Sequence, residues 1–193
     1  DHVSEFAIPQ DIQLSQVDIT LNGDKATVYG IELSYNQFFE NGLFWQSNVT
    51  FVESEAELDE TIRQDTMKLP GQADVTGNIS FGWENEDFSA RVITNYRSEI
   101  LEQIGSCPDN AVATDAHSCK TWADVYQDEI VTVDFKIKYD VTDKLSIYFD
   151  AINLTNQADL RYIEGNEQSG GNILYQREEY GSTYQLGLNY SFY

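Results

Sequence analysis

Two cysteines and a histidine lie close together in one polar stretch of this chain, and these residue types often carry chemistry. Cys107 and Cys119 have Gly, Pro, Asp and Asn around them, and an even number of cysteines in such a stretch indicates a disulfide formed in an oxidising compartment. Two free thiols are the alternative. His117 could bind a metal ion with Asp109 or Asp115, although a lone loop imidazole is usually solvated. We therefore predict a disulfide and no metal site here.

The spacing of the remaining residues does not bring catalytic groups together. The chain has 2 His and 2 Cys, and no nucleophile is spaced to meet a base and an orienting group. Gly23, Gly30 and Gly42 fit turns or strands rather than a phosphate-binding loop. We predict that the protein is not an enzyme and that it uses no cofactor.

Acidic side chains form the clearest local cluster. Glu53, Glu55 and Glu57 alternate with small residues, so they share one face of an extended segment, and Asp59 follows them. Carboxylate oxygens are ligands for Ca²⁺, which makes these four residues weak candidates for a cation site that bridges to lipopolysaccharide phosphates. We favour the alternative of a solvated acidic surface, so no bound metal is expected.

The overall charge excludes one class of partner. The chain carries 33 acidic and 11 basic residues, which gives a formal net charge of −22. Nucleic acid is therefore not expected as a partner, because phosphate binding needs clustered Lys and Arg.

Aromatic side chains in the long polar connections are the candidates for ligand contact. Aromatic rings can stack on sugar rings or on aromatic chelators, although an aromatic residue at a rim is more often interfacial. The candidates are Trp122, Tyr126, Tyr162 and Tyr175.

The elements that carry these residues alternate between apolar and polar positions with a period of two. Apolar residues occupy the odd positions from Val131 to Tyr139, while Thr, Asp and Lys occupy the even ones. The same alternation runs from Ala73 to Trp83 and from Tyr184 to Phe192. Such alternation predicts half-buried strands, so we predict an all-β, antiparallel chain.

Connection lengths alternate as well. The connections at 38–44, 83–88 and 139–145 are tight turns of Asn, Asp and Gly, whereas those at 53–68, 99–127 and 159–180 are long and polar. Short turns at one end and long loops at the other are typical of an up-and-down transmembrane β-barrel. About seven strands are predicted, near 26–39, 43–55, 67–84, 88–103, 122–140, 144–160 and 172–193. An odd number cannot close a bacterial single-chain barrel, so we expect part of a larger one.

Six stretches resemble the C-terminal barrel portion of TonB-dependent outer-membrane receptors, in the order found in that family. They are ATVYGIELSY (26–35), NGLFWQSNVTF (41–51), KLPGQADVTGNISFGW (68–83), DFSARVITNYRSE (87–99), LSIYFDAINLTNQ (145–157) and EEYGSTYQLGLNYSFY (178–193). The resemblance covers residues 24 to 193. It implies a plugged barrel of about 22 strands, with the plug and the earlier strands absent from this sequence.

The resemblance also implies a function and a set of partners. Such a receptor binds a scarce nutrient, an iron chelate or a carbohydrate, at the bacterial cell surface and imports it with energy from the TonB complex. Its barrel lies in outer-membrane lipid and lipopolysaccharide. Passive diffusion through a porin, or a soluble acidic β-domain that binds Ca²⁺ or glycans, are the alternatives.

The last strand resembles the signal that the barrel-assembly complex reads. A polar residue, a glycine and two aromatic residues stand at the spacing of that signal: Gln185, Gly187, Tyr190 and Phe192. This resemblance accounts for a chain that ends on aromatic residues, and it implies insertion into the outer membrane.

Overall fold

The computed structural model describes residues 23–58, 63, 65–105, 123–165 and 170–192. Throughout these ranges the regular structure is β-strand, which confirms the predicted all-β, antiparallel fold. In the same ranges, no helix is long and apolar enough to cross a membrane.

The strands follow the predicted alternation closely. They are β1 (Lys25–Phe38), β2 (Leu43–Glu57), β3 (Val75–Glu84), β4 (Phe88–Arg97), β5 (Ile100–Gln103), β6 (Val125–Gln127), β7 (Ile130–Thr142), β8 (Leu145–Ile152), β9 (Asp159–Ile163), β10 (Ile173–Glu178) and β11 (Thr183–Tyr190).

These strands form two antiparallel sheets. The first sheet has seven strands in the order β1-β2-β3-β4-β7-β8-β11, and it contains the seven predicted strands. The second sheet has four strands in the order β10-β9-β6-β5. It continues the last four strands of the first sheet beyond their long-connection end, in the same neighbour order. We call these the wall sheet and the rim sheet.

The predicted strands were wrong in two respects. The last four are each broken between the two sheets, because residues at some breaks leave the extended conformation: Asn153, Asn156 and Gly181 have positive φ angles. The strand predicted from residue 67 begins at Val75 instead. Before it, a turn forms in which Gln72 N donates to Leu69 O, and the Pro in this turn has no N–H to offer a strand.

The short turns are confirmed, and their side chains explain them. Gly42 has a φ of 86°, which favours glycine, and Asn41 Oδ1 accepts from Leu43 N at 3.2 Å. Asn85 Oδ1 accepts from Phe88 N at 2.8 Å, and Thr142 Oγ1 accepts from Leu145 N at 3.1 Å. One side chain therefore satisfies the backbone of each turn.

The wall sheet has one apolar and one polar face. In register across the strands lie Leu33, Val49 and Gly77, and one row away lie Ile31, Phe51 and Val75. These residues belong to the outward face, where Ile31 is 65% exposed because nothing covers it. The opposite, inward face carries polar and charged residues, among them Asn36, Gln46, Asn78, Asn95, Lys136 and Asp150. This distribution suits a wall between lipid and water.

Candidate ligand-binding site

Two of the predicted ligand-contact residues meet in the rim sheet. Tyr126 on β6 lies directly opposite Tyr162 on β9, and their rings stack with centroids 5.5 Å apart and planes 15° apart. Tyr162 donates its hydroxyl hydrogen to Glu99 Oε2 at 2.6 Å, which fixes the ring in place. The two rings and the carboxylate form the aromatic pair site.

Both phenols of this site stay protonated at neutral pH. Burial, with the nearby charges of Glu164 and Asp124, raises the pKa of Tyr126 to about 12. Burial also raises the pKa of Tyr162, and the hydrogen bond to Glu99 raises it further. Each ring therefore presents a neutral hydroxyl group.

The pair belongs to a row of apolar residues across the rim sheet. Leu101, Tyr126, Tyr162 and Leu174 are successive register partners on β5, β6, β9 and β10. Leu101 is fully buried and Leu174 is 63% exposed, so burial decreases along the row. Leu101 packs with Ala56, which lies on the inward face of β2. The row therefore faces the inside of the wall.

The β2–β3 connection covers the buried end of this row. Met67 and Leu69 from this connection pack in one cluster with Leu101 and Tyr126. Two backbone bonds hold the connection: Met67 pairs with Ala56, and Gly71 N donates to Leu101 O at 2.8 Å. The covering leaves Tyr162 nearer than Tyr126 to the exposed end.

A buried ion pair joins three connections beneath the site. Arg63 Nη1 donates to both carboxylate oxygens of Asp124, at 3.0 and 2.8 Å, and these residues are 6% and 1% exposed. Asp124 Oδ1 also accepts from Gly105 N at 2.8 Å, and Glu164 N donates to Asp124 O at 2.8 Å. Burial lowers the pKa of Arg63, but its hydrogen bonds to the two acids Asp124 and Asp65 raise it overall.

A second arginine gathers acids beside the aromatic pair. Arg161 Nε donates to Glu102 Oε2 at 2.7 Å, and Arg161 Nη1 lies 3.3 Å from Asp159 and 3.8 Å from Glu178. The hydrogen bond to Glu102 is the main reason that the pKa of Arg161 is raised. Three carboxylates around one guanidinium leave this side of the site negative, which disfavours an anionic ligand.

The other predicted contact residues are not brought to the pair. Tyr175 lies at a bulge of β10, next to Leu174, and is 57% exposed. Trp122 lies outside the described residues, as do Cys107, Cys119, His117, Asp109 and Asp115.

The acidic residues of β2 lie elsewhere. Glu53, Glu55 and Glu57 are exposed on the outward face, and Lys25 approaches Glu57 at 4.0 Å. Asp59 is not among the described residues. In the described ranges no group of three or more His, Cys, Asp or Glu is arranged to hold a metal ion. The absence of a bound metal stays a prediction.

The C-terminal residues lie on the last strand of the wall sheet and just after it. Gln185 and Gly187 are on its inward face, where a Cβ on Gly187 would lie 2.2 Å from Tyr148 Cζ. Glycine at this position therefore makes room for the Tyr148 ring. Tyr190 is on the outward face, and its ring meets that of Phe192 edge-on with centroids 5.0 Å apart.

Sequence reasoning missed Arg63, Asp124 and Asn153. A usable signal existed for Arg63: basic residues are rare in this chain, so an arginine among the acids of a long connection marks an expected partner. Nothing in the local sequence distinguishes Asp124 from the other acids.

An antiparallel sheet with an apolar outward face, a polar inward face and short turns at one end defines the wall of a transmembrane β-barrel. The family model described as TonB dependent receptor-like, beta-barrel matches residues 6–154. The chain therefore belongs to this family of outer-membrane receptors, which confirms the resemblance. The match begins before residue 24 and ends before the last two strands of the chain. A search of curated proteins finds no match.

Proposed function

We propose that the whole protein binds a scarce nutrient at the cell surface and imports it with energy from the TonB complex. The observation that carries this proposal is the aromatic pair site. Tyr126 and Tyr162 face the inside of the wall, at its long-connection end, and Glu99 holds one ring in place. Stacked aromatic rings with neutral hydroxyl groups suit a carbohydrate ring or the aromatic part of an iron chelate. The acids around Arg161 favour a neutral ligand over an anionic one.

The proposal includes the partners that the family implies. The outward face would contact outer-membrane lipid and lipopolysaccharide, and the strand with Gln185, Gly187, Tyr190 and Phe192 would be read by the barrel-assembly complex. A plug and a TonB-contacting region would precede this part of the barrel. Cys107 and Cys119 would form a disulfide in the β5–β6 connection. A soluble acidic domain is disfavoured because it would have to cover the outward apolar face.

The test is uptake by a strain that lacks the receptor and is complemented with variants. Growth is measured under iron limitation and on single carbohydrates to find the nutrient that needs the receptor. We expect a variant with both Tyr126→Ala and Tyr162→Ala to lose uptake at low nutrient concentration, and the control Tyr175→Ala to keep it. Equal growth of the double variant and the wild type would show that this site is not used.

The energy source is tested separately. We expect uptake of that nutrient to stop when TonB is deleted, while binding to whole cells persists. Uptake that continues without TonB would support a passive porin instead.

A further inference from the structure

The outward face of the wall sheet contains a hollow at about half its height. The hollow has a volume of about 420 Å³ and extends across β1, β2, β3 and β4. Its floor is formed by Ser47, Gly77 and Thr94, and larger side chains surround it, among them Leu33, Trp45 and Tyr96. No charged side chain lines it.

The register of the strands creates this hollow. Ser47 on β2 and Thr94 on β4 lie on either side of Ile79 in one row, and Gly77 lies in the next row. A Cβ on Gly77 would lie 2.9 Å from Asn48 O, so a larger residue there would disturb the backbone. The backbone is therefore bare where three neighbouring strands carry small residues.

The depth of the hollow places it within the hydrocarbon layer of a membrane. The apolar outward positions of β2 run from Leu43 to Phe51, which spans roughly 26 Å along the strand, and Ser47 lies midway between them. Glu53 stands on the same face just beyond Phe51. A transmembrane barrel has an apolar band about 25 Å tall, so the hollow opens near the middle of that band.

We propose that this hollow is a binding site for one acyl chain of a membrane lipid. The surface around it is continuous with the lipid-facing surface of the barrel, and its uncharged walls suit a hydrocarbon chain. Stable protein complexes bury about 800 Å² per partner, whereas this hollow is only a few side chains wide. A second copy of the protein is therefore a less suitable occupant.

The hydroxyl groups of the floor support a role beyond wall stability. The structure shows no hydrogen-bond partner for the side chains of Ser47 or Thr94 among the described residues, and such a hydroxyl is unfavourable in hydrocarbon. Leucine at both positions would fill the hollow and remove this cost. The walls belong entirely to β1–β4, so the proposal depends on the barrel family and not on the proposed nutrient.

The test is lipid retention by the full-length receptor, extracted from outer membranes in mild detergent and weighed by native mass spectrometry. We expect the variant with Ser47→Leu and Thr94→Leu to retain one lipid fewer than the wild type. Ala90 lies on the same face but outside the hollow, so Ala90→Leu is the matched control and should retain the wild-type number. Equal lipid numbers in all three proteins would overturn the proposal.

A second measurement guards against a folding defect and against a protein occupant. Trp45 lines the hollow, so lipids brominated near the chain end should quench its fluorescence, taken as the difference between the receptor and its Trp45→Phe variant. We expect the Leu double variant to lose at least half of this quenching while it keeps the wild-type thermal stability. A dimer that the wild type forms and the double variant loses would overturn the proposal in favour of a contact between copies.

Discussion

At the scale of single residues, Asp124 does the most to organise the rim. Its side chain accepts from Arg63 and from Gly105 N, and it is 1% exposed. Arg63 comes from one long connection, Gly105 begins the next, and Glu164, which bonds the Asp124 carbonyl, begins the third. The position of each connection therefore depends on one buried carboxylate.

Removing this carboxylate should destabilise the rim sheet. Asp124→Ala would leave Arg63 buried without its bidentate partner, and breaking a buried pair in this way costs about 3–5 kcal/mol. Replacing both residues, with Arg63→Met and Asp124→Leu, should recover most of that loss. The measurement is the thermal unfolding of the full-length receptor in detergent, with proteolysis of the long connections as a second readout.

The exposed pair of Lys138 and Asp140, with nitrogen and oxygen 2.9 Å apart, provides the control. Lys138→Met should cost less than about 1 kcal/mol, because an exposed ion pair contributes little. The interpretation fails if Asp124→Ala and Lys138→Met lower the stability equally.

At the scale of elements, the break between β8 and β9 is the junction between the wall and rim sheets. Asn153 has a φ of 57°, and its Oδ1 accepts from Gln157 N and from Thr155 Oγ1, both at 3.0 Å. Its own N donates to Asp134 Oδ1 at 2.8 Å, and Ser182 Oγ donates to Asn153 O at 2.8 Å. One residue thus connects β7, β8 and the segment before β11.

Changes at this junction should separate side-chain bonding from backbone conformation. Asn153→Ala loses two hydrogen bonds and places a residue with a Cβ in the left-handed region, which together should cost about 2–4 kcal/mol. Asn153→Gly should cost less, because glycine adopts this φ freely. The measurement is the folded fraction in outer membranes, from the heat-modifiable mobility of the receptor.

Asn156 is the matched control, because it also has a positive φ, of 49°, within the same turn. Asn156→Gly should leave the folded fraction unchanged. A loss as large as that of Asn153→Ala would show that the turn needs both side chains and would contradict a special role for Asn153.

At the scale of the whole molecule, the wall sheet ends in two strands with only one neighbour each. β1 pairs only with β2, and β11 pairs only with β8. Unpaired N–H and C=O groups on such edges are costly in lipid, where no water can satisfy them. A barrel in a membrane therefore needs further strands between β1 and β11.

We expect the native polypeptide in outer membranes to be several times heavier than the 22.0 kDa of this sequence, with further strands and a plug before Asp1. Detergent extraction followed by intact-mass measurement tests this. A native mass of 22.0 kDa would contradict it, because the seven strands would then have to close by association of several copies.

Much of the wall was predictable because its signal is local. Alternation in Val131–Tyr139 and turn residues such as Asn41 and Asn85 each specify their own strand or turn. The meeting of Tyr126 with Tyr162 was not predictable, because it depends on the register between β6 and β9, which are far apart in the sequence. The pairing of Arg63 with Asp124 bridges 61 residues and has no local pattern.

The sequence by itself therefore determined the class of protein: alternating strands, alternating connection lengths and an apolar face that only lipid suits. Only the tertiary structure decided which residues meet, because side chains become neighbours across a sheet through register. Register placed Tyr126 against Tyr162 at the rim and grouped Ser47, Gly77 and Thr94 into one hollow. A period of two assigns each residue to a face, but it does not give the residue's neighbours on that face.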